Sequence, residues 1–483
     1  MKTAITIIKN SIANYSRTIY RVGIGFVTIG ILARYLNPDT FGQYAYIVAL
    51  IAIFKLMPGM GVSVILAREI ARDKEKAPFL FASALVLQSI LSIITFVIIG
   101  IIFYFIAPSK EVFYAAIICA TAMIIENWKM LFSSIYQAFE KMAFDTVQTF
   151  ITETLYLISL VVITRMDLGF LAIFWTLLLA ESGGAVFGSV LVMKRFTWPQ
   201  FERVRSLSRF LFKEAFPIGI KRVLRKLNFR IDTLILAALK SNVEVGIFHG
   251  SYKIVQNLTF ITDASAQAMF PIFSRLGVSS KASLDLAYQK SLKFVLLIAL
   301  PIAIFLSYYS KPVIMLVLGH KYIESANVLQ ILGWALALMF VTNLMEKMLI
   351  AGNKQYLSTV TIVISLGVNI LLDLLLIPKM SYIGASIATL FSEIVVLSLS
   401  FYFISESLGF SIDIRSTLKL LFAGLLTYAF LWLFKDISVF IGGLVEILIY
   451  VAILIAIRTF SEDEIYLFKQ LLRGIFHVKP MNV

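Results

Sequence analysis

Apolar runs of roughly 20 residues, the length a helix needs to cross a bilayer, recur from Ile12 to Ile457 and are separated by short polar stretches. About fourteen can be drawn, near 12–34, 41–61, 79–107, 112–134, 147–164, 169–193, 216–240, 246–271, 292–310, 328–351, 357–377, 383–404, 416–434 and 439–457. The runs are continuous and do not alternate with a period of two, so they predict helices and exclude the ten-residue strands of a transmembrane barrel. An all-α, polytopic membrane protein is the expectation.

Two runs depart from the apolar pattern. The seventh, "FPIGIKRVLRKLNFRIDTLILAALK" over 216–240, carries Lys221, Arg222, Arg225, Lys226, Arg230 and Asp232. On one continuous helix advancing about 100° per residue these fall in one half of the wheel, opposite Val223, Leu224, Leu227, Ile231, Leu234 and Ile235. In the first run, Asn10, Asn14, Arg17 and Arg21 follow i, i+4, i+7, i+11 spacing and make one polar stripe. Lys221 and Arg222, near Pro217, are equally explained by snorkelling to the headgroups. Arg230 lies roughly 20 Å along a helix from Pro217 at about 1.5 Å per residue, where snorkelling is hard. A charge at that depth needs a wet cavity or a partner, which predicts a central cationic cleft. Lys55 in span two, Lys253 in span eight and His249 are further candidates for its lining. Arginine offers a fork matched to phosphate oxygens, so the expected cargo is anionic and phosphorylated.

Composition agrees: 60% of residues are hydrophobic, 15% are charged, and the mean hydropathy is +0.90. With the N-terminus inside, inner loops and tails hold about 22 basic residues and outer loops about 7, which places both termini in the cytoplasm. This asymmetry absorbs much of the formal +15 charge, so nucleic acid is not an expected partner. The opening "MKTAITIIKNSIANYSRTIYR" lacks a clean apolar core and cleavage site and reads as retained. The lone Cys119 excludes an intramolecular disulfide and a thiolate metal cluster.

The longest inner connection divides the chain near its middle, as in transporters built from two repeats. A gapless shift of 204 residues sets Ile31–Ala33 over Ile235–Ala237, Gly42 over Gly246, Tyr44 over Phe248, Arg17 over Lys221 and Arg21 over Arg225. The expected organisation is an N-lobe of spans 1–6 (1–193), a basic cytoplasmic linker (194–215), a C-lobe of spans 7–12 (216–404), spans 13–14 (405–457) and a cytoplasmic tail (458–483). Both six-helix lobes would face the central cavity.

Among the acidic groups, Asp232 lies mid-span, Asn369 and Asp373 share a face of span eleven by their i, i+4 spacing, and Thr389 follows in span twelve. Carboxylate, amide and hydroxyl oxygens together suit a small hard cation such as Na⁺. Each alone is better explained as a packing hydrogen bond or, for Asp232, as an ion-pair partner of a neighbouring arginine; only the four together point to an ion. Glu126, Glu153, Glu181, Asp263, Glu346, Glu393 and Glu446 also fall within spans, where any could carry a coupling proton. His249, His320 and His477 are too scattered for a transition-metal site.

The stretches "ARYLNPDTFGQYAYIVAL", "ILAREIAR", "FPIGIKRVLRKLNFRIDTLILAAL" with "VGIFHGSYKIV", and "LGHKYIESANVLQILGWAL" followed by "IPKMSYIGASIATLFSE" together resemble the Wzx-type polysaccharide flippases. Those belong to the multidrug, oligosaccharidyl-lipid and polysaccharide exporter superfamily. The resemblance runs in order over nearly the whole chain. It implies fourteen helices around a central cavity and movement of polyprenyl-diphosphate-linked sugars from the cytoplasmic to the outer leaflet of the cell membrane by alternating access. Membrane lipids, a glycan polymerase and glycosyltransferases of the same pathway are the partners it implies. In related lipid II flippases basic residues of spans one, two and eight line the cavity, places that Arg17, Arg21, Lys55 and Lys253 occupy here. The same relatives have a sodium site that Asp232, Asn369 with Asp373, and Thr389 match residue by residue. The extra charge of Arg222, Lys226 and Arg230 on span seven departs from that pattern.

Two other readings compete. A multidrug exporter of the superfamily would share helix count and lobes but line its cavity with carboxylates and aromatics. A membrane glycan polymerase or ligase needs an outer catalytic loop, whereas the longest outer connection, 310–327, is short. No paired nucleophile and base and no nucleotide loop is legible, so neither catalysis nor an organic cofactor is expected, only a coupling Na⁺ or H⁺.

Overall fold

A computed structural model describes residues 2–279, 281–409, 413–433 and 438–460, and among these every regular element is helical. In order they are α1 (Lys2–Tyr35), α2 (Pro38–Phe54), α3 (Leu56–Gly59), α4 (Val62–Arg72), α5 (Ala77–Ile106), α6 (Lys110–Ala138), α7 (Met142–Met166), α8 (Phe170–Arg195), α9 (Val204–Asn228) and α10 (Ile231–Leu239). There follow α11 (Asn242–Ser279), α12 (Lys281–Tyr308), α13 (Ser310–Val317), α14 (Ser325–Ala351), α15 (Gln355–Leu408), α16 (Ile414–Leu431) and α17 (Val439–Ala456). Most of the expected tail, 461–483, lies outside the described residues.

Among the described residues, ten helical stretches are long and apolar enough to cross a membrane. One of them, α15, bends at Ser381, whose φ of 51° and ψ of −132° interrupt the helix between the predicted eleventh and twelfth spans. The segments that fall short are α1, the α9–α10 pair and α11. These carry the intramembrane charge that the sequence singled out, so composition alone does not establish the expected count of about fourteen.

Span seven corrects the sequence expectation twice. Pro217 does not start the helix: α9 begins at Val204, inside the stretch expected to be linker, and continues through the proline. This upstream turn is helical because it is amphipathic. Leu211 and Ala215 are fully buried with Leu66, Ile70 and Leu131, while Arg68 Nη2 pairs with Glu214 at 2.9 Å and Ser208 donates to the Ser83 carbonyl at 3.0 Å. The second correction is a break at Phe229–Arg230. The amides there bond back only three residues, Phe229 N to Lys226 O and Arg230 N to Leu227 O, and the Tyr252 hydroxyl donates to the freed Phe229 carbonyl at 2.5 Å. A wheel drawn through the break therefore misplaces Arg230 and Asp232 relative to Lys226.

Span two is also interrupted. α2 starts on a well-formed cap, with Asn37 Oδ1 accepting from Thr40 N at 2.9 Å and Pro38 at the first helical position. It stops at Lys55, and Gly61 turns the chain into α4 with φ 78°. The close approach there is to α9: a Cβ on Gly219 would press on the Met60 backbone.

The helix starts of α2 and α11 cross at two glycines. A Cβ on Gly42 would run into the carbonyl of Asn242, and a Cβ on Gly246 into the carbonyl of Pro38. Glycines and opposing carbonyls are related by the same 204-residue offset as the sequence repeat, so this contact is reciprocal, as a two-fold interface between repeated halves requires.

By contact density the chain forms two units. One comprises Met1–Phe260, Ile314–Val328 and Thr359–Val396; the other comprises Ile261–Val313, Leu329–Ser358 and the chain from Leu397. The first contains the charged cavity. In the second, α12, α16 and α17 pack around Leu300, Leu420, Ala423, Tyr450 and Leu454.

Candidate functional site

Within the first unit a cavity of about 460 Å³ is lined by Arg17 and Arg21 of α1, Lys55 at the α2 break, Glu126, Asn127 and Lys129 of α6, Asp145, Gln148, Thr149 and Glu153 of α7, Glu181 of α8, and Arg222 and Lys226 of α9. No aromatic side chain is among its lining residues. The α1 stripe faces α7 because that helix supplies matching groups. Thr146 donates to the Ala13 carbonyl at 2.9 Å, Tyr20 and Thr154 hydroxyls meet at 2.6 Å, and Arg17 is ion-paired with Asp145. Asn10 does not reach the cavity; it binds the α6–α7 turn, donating to Glu140 O at 3.1 Å and accepting from Met142 N at 3.3 Å.

The lining adds acids to the expected cationic cleft. Six bases meet four acids, and three of the bases are paired: Arg17 with Asp145, Lys55 with Glu126, and Lys129 with Glu181 at 2.6 Å. Arg21, Arg222 and Lys226 form no ion pair among the described residues. Arg17, Arg21 and Lys55 of the expected lining are thus brought together, and with them Arg222 and Lys226, the extra charges of span seven that depart from the flippase pattern. Asn14 and Arg225 are not among the lining residues, and the Lys221 side chain lies outside the described residues. Sequence reasoning passed over Lys129 and Asp145. The signal for Lys129 was a base one turn from Glu126 in an otherwise apolar run, whereas Asp145 fell just outside the span drawn from 147.

Arg230 and His249 are buried, and Lys253 is half-buried, elsewhere in the same unit. Arg230 is 5% exposed; its Nη2 and the Lys253 ammonium both donate to Gln256 Oε1, at 3.4 and 3.3 Å. His249 sits beside the glycine crossing, edge-on to Phe41 at 5.6 Å and Tyr44 at 6.5 Å. It is a packed aromatic position and not a cavity wall.

A separate cluster assembles the four oxygen-bearing residues. Asp232, Asn369, Asp373 and Thr389 are all buried. Thr389 Oγ1 is within donating distance of both Asp232 Oδ2 and the Ala385 carbonyl, each at 3.0 Å, and its one proton serves one of them at a time. Asn369 Nδ2 donates to Ser392 Oγ at 3.2 Å, which turns its Oδ1 inward. The Asp232 carboxyl faces the Asp373 carboxyl and the Asn369 amide, and Asp232 Oδ1, both Asp373 oxygens and Asn369 Oδ1 have no hydrogen-bond partner among the described residues. Buried acceptors without donors are unfavourable, and a hard cation or a shared proton satisfies them. Asp232 forms no ion pair with Arg230 among the described residues. No group of three or more His, Cys, Asp or Glu side chains fit for a metal ion occurs among them either.

Helical architecture and charged cavity together define a multi-pass membrane protein of the transporter type. The fold matches that of the lipid II flippase MurJ in an inward closed conformation, with a TM-score of 0.78 and 14% identity over 93% of this chain and 99% of that one. The chain belongs to the polysaccharide biosynthesis protein family, whose sequence model matches residues 7–277, more than half its length; the MatE family model matches residues 217–375. Over 481 residues, 96% of this chain and 98% of the other, it is 21% identical to the probable low-salt glycan biosynthesis flippase Agl15 of Haloferax volcanii. It is 22% identical to an uncharacterized membrane protein of Methanocaldococcus jannaschii over 218 residues, 44% of this chain, and so spans 43% of that relative.

Proposed function

We propose that this chain moves polyprenyl-diphosphate-linked oligosaccharide units from the cytoplasmic to the outer leaflet of the cell membrane by alternating access, for surface polysaccharide or glycan biosynthesis. The observation that carries the reading is the placement of Arg21, Arg222 and Lys226, without ion-pair partners among the described residues, in one cavity with three further bases that are already paired. Six bases against four acids leave two positive charges, equal to the two negative charges of a diphosphate diester. Asn127, Gln148, Ser133 and Thr149 supply hydrogen bonds for sugar hydroxyls, which offsets the desolvation that bars an unaided glycan from the bilayer. In this reading the lipid tail stays in the membrane, the lobes of 1–193 and 216–404 alternate in access, and the helix starts crossing at Gly42 and Gly246 part and rejoin. Glycosyltransferases would supply the cargo and a polymerase would consume it.

The Asp232–Asn369–Asp373–Thr389 cluster fits a coupling Na⁺ or H⁺, because its oxygens are buried without donors. A multidrug exporter is the second reading, favoured by the MatE match and the four cavity acids. Three of those acids are committed to bases, which leaves Glu153 alone to attract a cation.

Flipping of a labelled diphosphate-linked glycan in proteoliposomes tests the main reading. Each charge-assisted bond to phosphate contributes about 1.5–3 kcal/mol, so Arg21→Gln and Arg222→Gln should each slow flipping by roughly ten- to a hundredfold at low substrate. Rates equal to wild type in both variants would reject the site.

A further inference from the structure

The second contact unit contains an intramembrane carboxyl that the transport reading leaves without a role. On α17 the buried positions are Gly442, Glu446, Tyr450 and Leu454, a stripe repeating every four residues, while Phe440, Ile441, Leu444, Leu448 and Ile455 face outward. Glu446 is the middle of this helix and is 1% exposed. Both its carboxyl oxygens are buried without a hydrogen-bond partner among the described residues, and so are the Tyr309 and Tyr450 hydroxyls. The geometry places these three groups along one seam. Tyr309, the single residue joining α12 to α13, lies over Gly442, where a Cβ would strike its phenol, one turn before Glu446; Tyr450 lies one turn after it on the same face. Phe305 against Gly443 and Leu300 with Ile304 against Gly424 close the seam from α12 and α16.

A carboxylate at that depth, with no cation and no donor on either oxygen, is strongly disfavoured. A neutral carboxylic acid is not, since it has one proton to give and one carbonyl to accept, and a phenol on either side can do the complementary task. Apolar packing would be served by any residue of similar volume. We propose that Glu446, between Tyr309 and Tyr450, is a proton-binding site of the α12–α16–α17 bundle, taking one proton from water to become neutral and returning it to water in another stage of the transport cycle. No redox partner or second reactant is involved.

The experiment combines two readouts on the full-length protein in membranes. A hydrophobic carbodiimide reacts with a protonated carboxyl in lipid: the acid proton passes to the reagent nitrogen, the carboxyl oxygen adds to its central carbon, and the adduct rearranges to a stable acylurea found by mass spectrometry. Labelling at Glu446 is expected at acid pH, falling roughly tenfold per pH unit above its midpoint as a single titrating group requires, and Tyr309→Phe or Tyr450→Phe should move that midpoint. Glycan flipping, the readout that rests on the transport reading, should lose its pH dependence in Glu446→Gln, which keeps the shape of the neutral acid. Labelling that is absent or independent of pH overturns the proposal, as does a wild-type pH profile of flipping in Glu446→Gln. Suppression of the label by Na⁺ at fixed pH overturns the proton assignment in favour of an alkali cation. Titrating labels in a protein that flips no glycan would instead sink the transport reading and leave the proton site standing.

Discussion

The Arg17–Asp145 pair is asymmetric, and that asymmetry makes a quantitative prediction. The Arg17 side chain is 30% exposed, at the cavity edge, whereas that of Asp145 is 5% exposed. Arg17→Gln therefore strands a buried carboxylate on α7, a change that typically costs about 3–5 kcal/mol. Asp145→Asn leaves a guanidinium that reaches cavity water, where loss of a solvated pair costs about 1 kcal/mol or less. The difference of at least about 2 kcal/mol is more than tenfold in a folding equilibrium. The double variant, with neither charge, should recover most of the Arg17→Gln loss, because the unpaired carboxylate is the expensive species. Thermal unfolding in detergent measures the first part. Binding of a diphosphate lipid measures the second, where the singles should diverge in sign: Asp145→Asn releases Arg17 for phosphate and tightens binding, while Arg17→Gln weakens it. Equal stability losses in the two single variants, or weaker binding in Asp145→Asn, would refute the reasoning.

Two further predictions address the other features of the same unit. If the oxygen cluster holds Na⁺, saturating Na⁺ should raise the unfolding temperature of wild type, by the equivalent of about 2.7 kcal/mol at a hundred times the dissociation constant, and should have little effect on Asp373→Asn; an identical Na⁺ response in both rules the site out. Gly246→Ala and Gly42→Ala each place a methyl against a backbone carbonyl, so each should lower stability by about 1–3 kcal/mol. Gly23→Ala on α1, with nothing within 4 Å, should instead be neutral or gain up to about 1 kcal/mol, and matching behaviour of all three would mean that the crossing is not closely packed.

Much of the fold was legible because intramembrane helices must satisfy their own backbone, which ties apolar run length directly to element length. The bend at Ser381 falls between two predicted spans, and the capped start of α2 follows from Asn37–Pro38. The errors have one physical origin. Hydropathy reports where lipid is, not where a helix is held by another helix. Residues 204–215 read as linker because Arg205, Arg209 and Lys213 dominate their composition, yet Leu211 and Ala215 are enough to seat them on the core. The break at Phe229 was invisible for the same reason, since the hydroxyl that accommodates it belongs to Tyr252 on the next helix. The site fared likewise. The bases were found from their depth, but their pairing with Asp145, Glu126 and Glu181 depends on which helices adjoin, and sequence spacing within one helix carries no such information.

That break also bears on how the cavity and the oxygen cluster are arranged. Lys226 lines the cavity on the last turn of α9, and Asp232 enters the oxygen cluster from the first turn of α10. Only the two residues Phe229 and Arg230 separate the helices, bonded back by three-residue contacts and held through one carbonyl to Tyr252. A continuous helix would fix the angle between Lys226 and Asp232 at six steps of about 100°. A two-residue joint removes that constraint, so a change in charge at Asp232 can alter the setting of α10 without unwinding the turn that carries Lys226. Coupling between the two is read as the difference in diphosphate-lipid affinity with and without Na⁺, which must vanish in Asp373→Asn if the cluster is its source.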